Sequence, residues 1–287
     1  MRTETFQTPG PVHLDIRLGA GEVALETAAT TGTTVVLEPL RNNEASVEAV
    51  EHARVELRGS GDGQEVVIDV RGRSRFFKGA EVLVRVTCPF ESGVEIRSGS
   101  ADIEGRGVFG SVDVETGSGE VEFDEISGNA RVSAASGDVE IRTIGGEGNL
   151  NTASGDIQVG LIGAGGRFNT ASGDVVVRTA GARFEANSAS GDVVVKEALG
   201  PLSVNTASGD QAIGSVFQGR VDLKSASGDL QIGIKEGSRL FVDARSRSGE
   251  VRSELAVTEV APEVDAPLVE LRANTMSGDI TVVRAGA

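Results

Sequence analysis

The chain predicts an all-β fold. Specifically, it predicts a single-stranded β-solenoid (β-helix) with about 18 residues per coil, preceded by an N-terminal β-rich capping region with one short helix. Three observations carry this. A Ser-Gly-Asp element, or a near variant, returns every eighteen residues, its acidic member falling at Asp102, Glu120, Asp138, Asp156, Asp174, Asp192 and Asp210. Apolar residues hold fixed places within that period. The first ninety residues lack the period but contain several short runs of alternating apolar and polar residues.

In chain order, alternation comes first at Val12, Leu14, Ile16 and Leu18. It recurs at Val23 and Leu25, at Val35 and Leu37, at Val66, Ile68 and Val70, and at Val82, Val84 and Val86. Alternate residues of a strand share a face, so each run predicts a half-buried strand. Asn43–Arg54 predicts a short helix with Ala49, Val50 and Ala53 on one face. Residues 1–90 are therefore expected to form a mixed β region that caps the first coil, because an open solenoid end exposes unpaired strand edges. Residues 91–287 are expected to form the solenoid.

With the acidic residue as position nine, position three is Ile96, Val114, Val132, Leu150, Phe168, Ala186, Val204 and Leu223. Position ten is Ile103, Val121, Val139, Ile157, Val175 and Val193, with Gln211 as an exception. Position twelve is Phe123, Ile141, Val159, Val177, Val195 and Ile213, with Gly105 as an exception. These positions face inward from two short strands, and Ser-Gly-Asp turns the chain between them: Gly tolerates positive φ, while Ser and Asp bond nearby backbone. Hairpins would need only cross-strand complementarity, whereas identical columns favour stacked coils. After Asp210 the motif continues with wider gaps at Asp229, Glu250 and Asp279. Ser253–Pro267 interrupts it as a loop or as longer strands.

Stacking also predicts polar columns. Position four carries Asn151, Asn169, Asn187, Asn205 and Asn274, and position five Thr116, Thr152, Thr170, Ser188, Thr206, Ser225 and Thr275. At rung spacing, such amides and hydroxyls are expected to bond up the stack and hold the coils in register.

The formal net charge is −16, which argues against a nucleic-acid partner, whose backbone demands cationic surface. The ten Phe residues, with no Trp or Tyr, suit a narrow core of small aliphatic side chains. Met1–Gly10 shows no secretory signal pattern and no apolar run is long enough for a transmembrane helix, so a cytoplasmic protein is expected. The single cysteine, Cys88, has no internal disulfide partner and is expected to be a small buried residue.

The Asn-Thr-Ala-Ser-Gly-Asp repeats and the closing Thr275-Met276-Ser277-Gly278-Asp279-Ile280 resemble a bacterial β-strand-repeat family of unknown function, often labelled putative adhesin. Phe6–Pro11, the turn Leu18-Gly19-Ala20-Gly21-Glu22-Val23 and Thr87–Phe90 resemble it too, so the likeness spans nearly the whole chain. It implies a β-solenoid of no established activity and supplies no catalytic residue.

Chemistry finds little support in the residues. A Ser-His-acid site needs a histidine, and His13 and His52 both fall at expected surface positions. The same scarcity disfavours a zinc site. The formal Gly-x-Gly-x-x-Gly at Gly105, Gly107 and Gly110 enters a strand, whereas dinucleotide binding needs it to open a helix. In the acidic column, adjacent carboxylates at about 4.8 Å repel by about 0.9 kcal/mol in bulk water. Turn N–H groups and Ser hydroxyls are the expected offset. Calcium or another divalent cation held by Asp138, Asp156, Asp174, Asp192 and Asp210 is the alternative, although the glycine pattern of calcium-binding β-rolls is absent. A further candidate is Arg71, Arg73, Arg75, Phe76, Phe77 and Lys78, where cations bracket aromatics as interfaces do.

The expected function is thus a non-enzymatic scaffold or protein-interaction module without a cofactor, binding a protein partner or itself as a homo-oligomer. The alternatives are a carbohydrate-active or carbohydrate-binding β-helix and a divalent-cation-binding repeat protein.

Overall fold

The structure is a computed structural model that describes residues 1–59, 61–70, 79–255 and 266–285. It has a β-solenoid fold and divides into two compact units, Met1–Gly146 and Glu147–Ala287. Among the described residues no helix is long and apolar enough to cross a membrane.

The first unit contains β1 (Arg2–Gln7), β2 (His13–Ala28), β3 (Gly32–Pro39), α1 (Glu44–His52), β4 (Arg54–Arg58), β5 (Glu65–Asp69) and β6 (Val82–Pro89). It continues with β7 (Gly93–Phe109), β8 (Val112–Ser118), β9 (Val121–Ile126), β10 (Ala130–Ser136) and β11 (Val139–Ile144). Coils stack in parallel with the period expected: Val94 pairs with Val112, and Val112 with Ala130. The other arm follows, Ile103 with Val121 and Val121 with Val139. β2 forms a coil as well, in register with β7 from His13 opposite Gly93 to Glu26 opposite Arg106. On its other side β2 pairs with β5 and β6, which follow it in sequence. Antiparallel strands then end the parallel ladder, β3 on β6, β1 on β3 and β4 on β5. Helix α1 begins where expected: the Asn43 side chain caps it, accepting the Ser46 N–H at 2.7 Å, and Ala49 and Val50 are buried.

Gly105, the exception at position twelve, has a packing cause. A Cβ there would lie 2.3 Å from Cδ1 of Phe123, the residue one coil on in the same column. The Phe123 ring takes that space and meets Phe109 edge to face, centroids 5.4 Å apart.

The second unit contains β12 (Glu147–Ser154), β13 (Ile157–Ile162), β14 (Gly165–Ser172), β15 (Val175–Ala180), β16 (Phe184–Ser190), β17 (Val193–Ala198) and β18 (Leu202–Ser208). Then come β19 (Gln211–Val216), β20 (Gly219–Ser227), β21 (Leu230–Ile234), β22 (Arg239–Ser248), β23 (Val251–Ser253), β24 (Leu268–Ser277) and β25 (Ile280–Arg284). Even-numbered strands stack on one another and so do odd-numbered ones, all parallel from β12 to β21. Position three is buried at Leu150, Phe168, Ala186, Val204, Leu223 and Ala273, and partly exposed at Ala244 in β22. Where this column narrows from Phe168 to Ala186, Phe184 supplies the missing volume, its ring 4.9 Å from that of Phe168.

Sequence order and stacking order part company at the far end of this unit. β24 pairs with β20 on one side and β22 on the other, and β25 likewise lies between β21 and β23. The last motif thus fills a rung left between two coils made earlier in the chain.

Candidate functional site

The acidic column forms, and backbone donors meet it. In the second unit one oxygen of each aspartate accepts the backbone N–H of its counterpart one coil on. Asp156, Asp174, Asp192 and Asp210 accept from Asp174, Asp192, Asp210 and Asp229 at 2.8–2.9 Å. The row ends with Asp229 accepting from Asp279 at 2.8 Å and Asp279 from Glu250 at 2.9 Å. In the first unit Asp102 accepts from Glu120 at 3.1 Å. Each such charge-assisted bond offsets repulsion along the row. Among the described residues no group of three or more His, Cys, Asp or Glu side chains is placed to hold a metal ion. Asp138 lies in the same register in the first unit, where its carbonyl accepts the Val121 N–H at 2.9 Å.

The glycines of these turns are needed chiefly for contact. Gly119 and Gly137 have φ of 131° and 132°, but Gly173, Gly191 and Gly209 do not have positive φ. A Cβ on any of these three would lie 2.0–2.1 Å from the carbonyl oxygen of the turn glycine one coil earlier. The sequence argument from left-handed backbone therefore covers only part of the column.

The amide column bonds rung to rung. Asn169, Asn187 and Asn205 donate in turn to Asn151, Asn169 and Asn187 at 2.7, 2.8 and 2.9 Å. The hydroxyl column behaves differently. Ser98 meets Thr116 at 2.9 Å and Thr206 meets Ser225 at 3.1 Å, but Thr170 and Ser188 reach the Gly155 and Gly173 carbonyls at 3.5 Å. Gln211, the exception at position ten, is buried and donates to Thr206 Oγ1 at 2.9 Å and the Lys224 carbonyl at 2.8 Å.

His13 and His52 are not brought together with an acid and a nucleophile. His13 Nε2 lies 3.7 Å from Glu95 on a partly exposed edge, and His52 Nδ1 lies 3.0 Å from its own helix at the Glu48 carbonyl. Gly105, Gly107 and Gly110 lie on and just beyond β7, with no helix after them. Cys88 is buried, and burial pushes its thiol up to about 11 against a lowering by the Ser92 hydroxyl. Glu56, on β4, is held down to about 2 by hydrogen bonds from Arg54 and Arg58. Arg71, Arg73, Arg75, Phe76, Phe77 and Lys78 lie outside the described residues.

The feature that sequence reasoning missed is the coil of β22 and β23. Its inward positions, Val242 over Leu271 and Val251 over Ile280, remain 43% and 48% exposed, because nothing described stacks beyond them. Phe241 on its outer face is 60% exposed. The stretch Arg239–Ser253 holds four arginines against two acids, a reversal of the chain's general acidity and the one signal that marked it.

Among solved structures, the chain is similar to a "putative lipid binding protein" from Parabacteroides distasonis at 13% identity and a TM-score of 0.45, over 99% of this chain and 96% of that one. It is similar to a "putative adhesin" from Parabacteroides merdae at 9% identity and 0.39, over 99% and 96%. A "putative cell adhesion protein" from Clostridium sporogenes aligns at 11% identity and 0.29, over 99% of each chain. Superpositions this loose carry no argument about function. No curated protein matches the sequence. The model of one family does, over residues 13–199 and 149–283: the chain belongs to the Toastrack DUF4097 family.

Proposed function

We propose that this protein is a non-enzymatic scaffold whose β-solenoid presents protein-interaction surface. The observation that carries the reading is the coil of β22 and β23, where Phe241, Val242 and Val251 are exposed on a strand pair with one edge that no described strand covers. An uncovered sheet edge with apolar side chains is a template for another chain. The polar columns support the reading from the other direction. The amides of Asn151 to Asn205 and the carboxylates of Asp156 to Asp279 are engaged along the stack, which makes them register devices, whereas the hydroxyl of Thr152 is buried without a partner among the described residues. A photo-crosslinking residue tests it. Phe241→p-benzoylphenylalanine in host cells is expected to capture protein, while the same residue at exposed Ala171, on the Ser-Gly-Asp side of β14, serves as control. Absence of any captured protein at Phe241 would count against the module.

A further inference from the structure

We infer that the terminal coil docks on a second copy of itself, with two β22 strands pairing antiparallel about a twofold axis at Ala244. This deepens the interaction reading and rests on it. Arg239 donates its N–H to the Pro267 carbonyl at 2.8 Å, on the β24 side. Successive residues of a strand direct their backbone groups to opposite sides, so Leu240, Val242, Ala244 and Ser246 direct theirs to the edge away from β24, where no described strand pairs. An antiparallel partner must meet those groups while keeping inward faces together, which permits only registers that change in steps of two.

Charge selects among them. With Ala244 opposite the partner's Ala244, Asp243 faces the partner's Arg245 and Arg245 faces the partner's Asp243. Both contacts fall at non-hydrogen-bonded positions, where opposed side chains are closest. The same register sets Phe241 against the partner's Arg247, a cation–π pairing. The permitted register on either side puts Asp243 against the partner's Asp243, or Arg245 against the partner's Arg245. Within one chain Arg245 Nε already lies 3.2 Å from Asp243 Oδ1 on the exposed face, so the dimer closes an alternating ring of four charges. The inward Val242 and Val251, half exposed in the single chain, are covered by the same union.

Light scattering on the full chain, with circular dichroism to verify folding, tests this by charge exchange. The native protein is expected to dimerise with rising concentration. Asp243→Arg and Arg245→Asp should each weaken self-association by at least about tenfold, since each puts like charges in both contacts. The double variant should recover the dimer, and an equimolar mixture of the two single variants should form a heterodimer. A native protein that stays monomeric at its highest soluble concentration overturns the proposal. So do single variants that dimerise like the native chain, or a mixture that fails to pair. A monomer that still crosslinks host protein through position 241 loses this proposal and leaves the interaction reading standing.

Discussion

Asp279 accepts the backbone N–H of Glu250 at 2.9 Å, although Glu250 stands 29 residues before it in the chain. Asp279 in turn donates its own N–H to Asp229, so the rung order is Asp229, Asp279, Glu250. Among the described residues the coil of β24 and β25 therefore bears on two neighbours, and the coil of β22 and β23 on one.

Substitutions at the turn glycines should reveal that order. A Cβ at Gly278 would lie 2.1 Å from the Gly228 carbonyl oxygen, and one at Gly249 would lie 2.1 Å from that of Gly278. Gly278→Ala should disturb the β20–β21 rung beneath and release the one above, whereas Gly249→Ala presses on the β24–β25 rung and loosens the outermost coil, leaving β20–β21 untouched. The expected losses are about 2–3 and about 1 kcal/mol. Hydrogen exchange checks it: protection in Leu230–Ile234 falls in the first variant and is kept in the second.

Asn187 sits inside the amide row, donating to Asn169 and accepting from Asn205. Asn187→Ala should cost about 1–2 kcal/mol in urea denaturation, from two net hydrogen bonds at a half-buried site. Asn205→Ala should cost about half as much, because Asn205 ends the row and bonds to one amide within it, that of Asn187.

Gly105→Ala should be among the most harmful single changes, at about 2–4 kcal/mol, since the Phe123 ring leaves the new methyl no room. Phe123→Leu in the same chain should recover part of that loss. A double-mutant cycle on denaturation midpoints would read the coupling, and strict additivity would refute the fit between the two residues.

Alkaline stability should depend on Cys88. Its thiol titrates near 11 in the folded chain against about 8.5 when unfolded. The raised value means the folded chain holds the proton longer. The contribution is thus complete below about pH 8.5 and is lost as pH climbs toward 11. Denaturation midpoints should fall across that window, and Cys88→Ala should flatten the fall. Alkylation of the native protein at pH 8 should be slow beside that of the unfolded chain.

The stacked coils were legible because a fixed period leaves few alternatives. Val121 and Val139 in the first unit, and Ile157, Val175 and Val193 in the second, are buried at the same position of the repeat, and helix or hairpin packing gives no reason for that identity. The N-terminal helix was legible from Asn43 and the Ala49–Val50 face. Other features depend on neighbours that no single repeat encodes. Gly173 looks like a turn residue in isolation, yet its need arises from a carbonyl one coil away. The widened spacing of Asp229, Glu250 and Asp279 is compatible with either rung order. For the same reason the exposure of Val242 and Val251 could not be read from their apolar character, since among the described residues no coil stacks beyond them. The arginine-rich composition of Arg239–Arg252 was the only local sign.

The interposed β24–β25 coil alters how the molecule bears load. In a stack laid down in chain order, tension on the final segment would peel one row of bonds, rung by rung. Here a pull on Arg284 drags an interior layer lengthwise between β21 and β23, so both flanking ladders resist in shear at once. The segment nearest that end behaves as a bolt, and its extraction leaves the outermost layer without a seat.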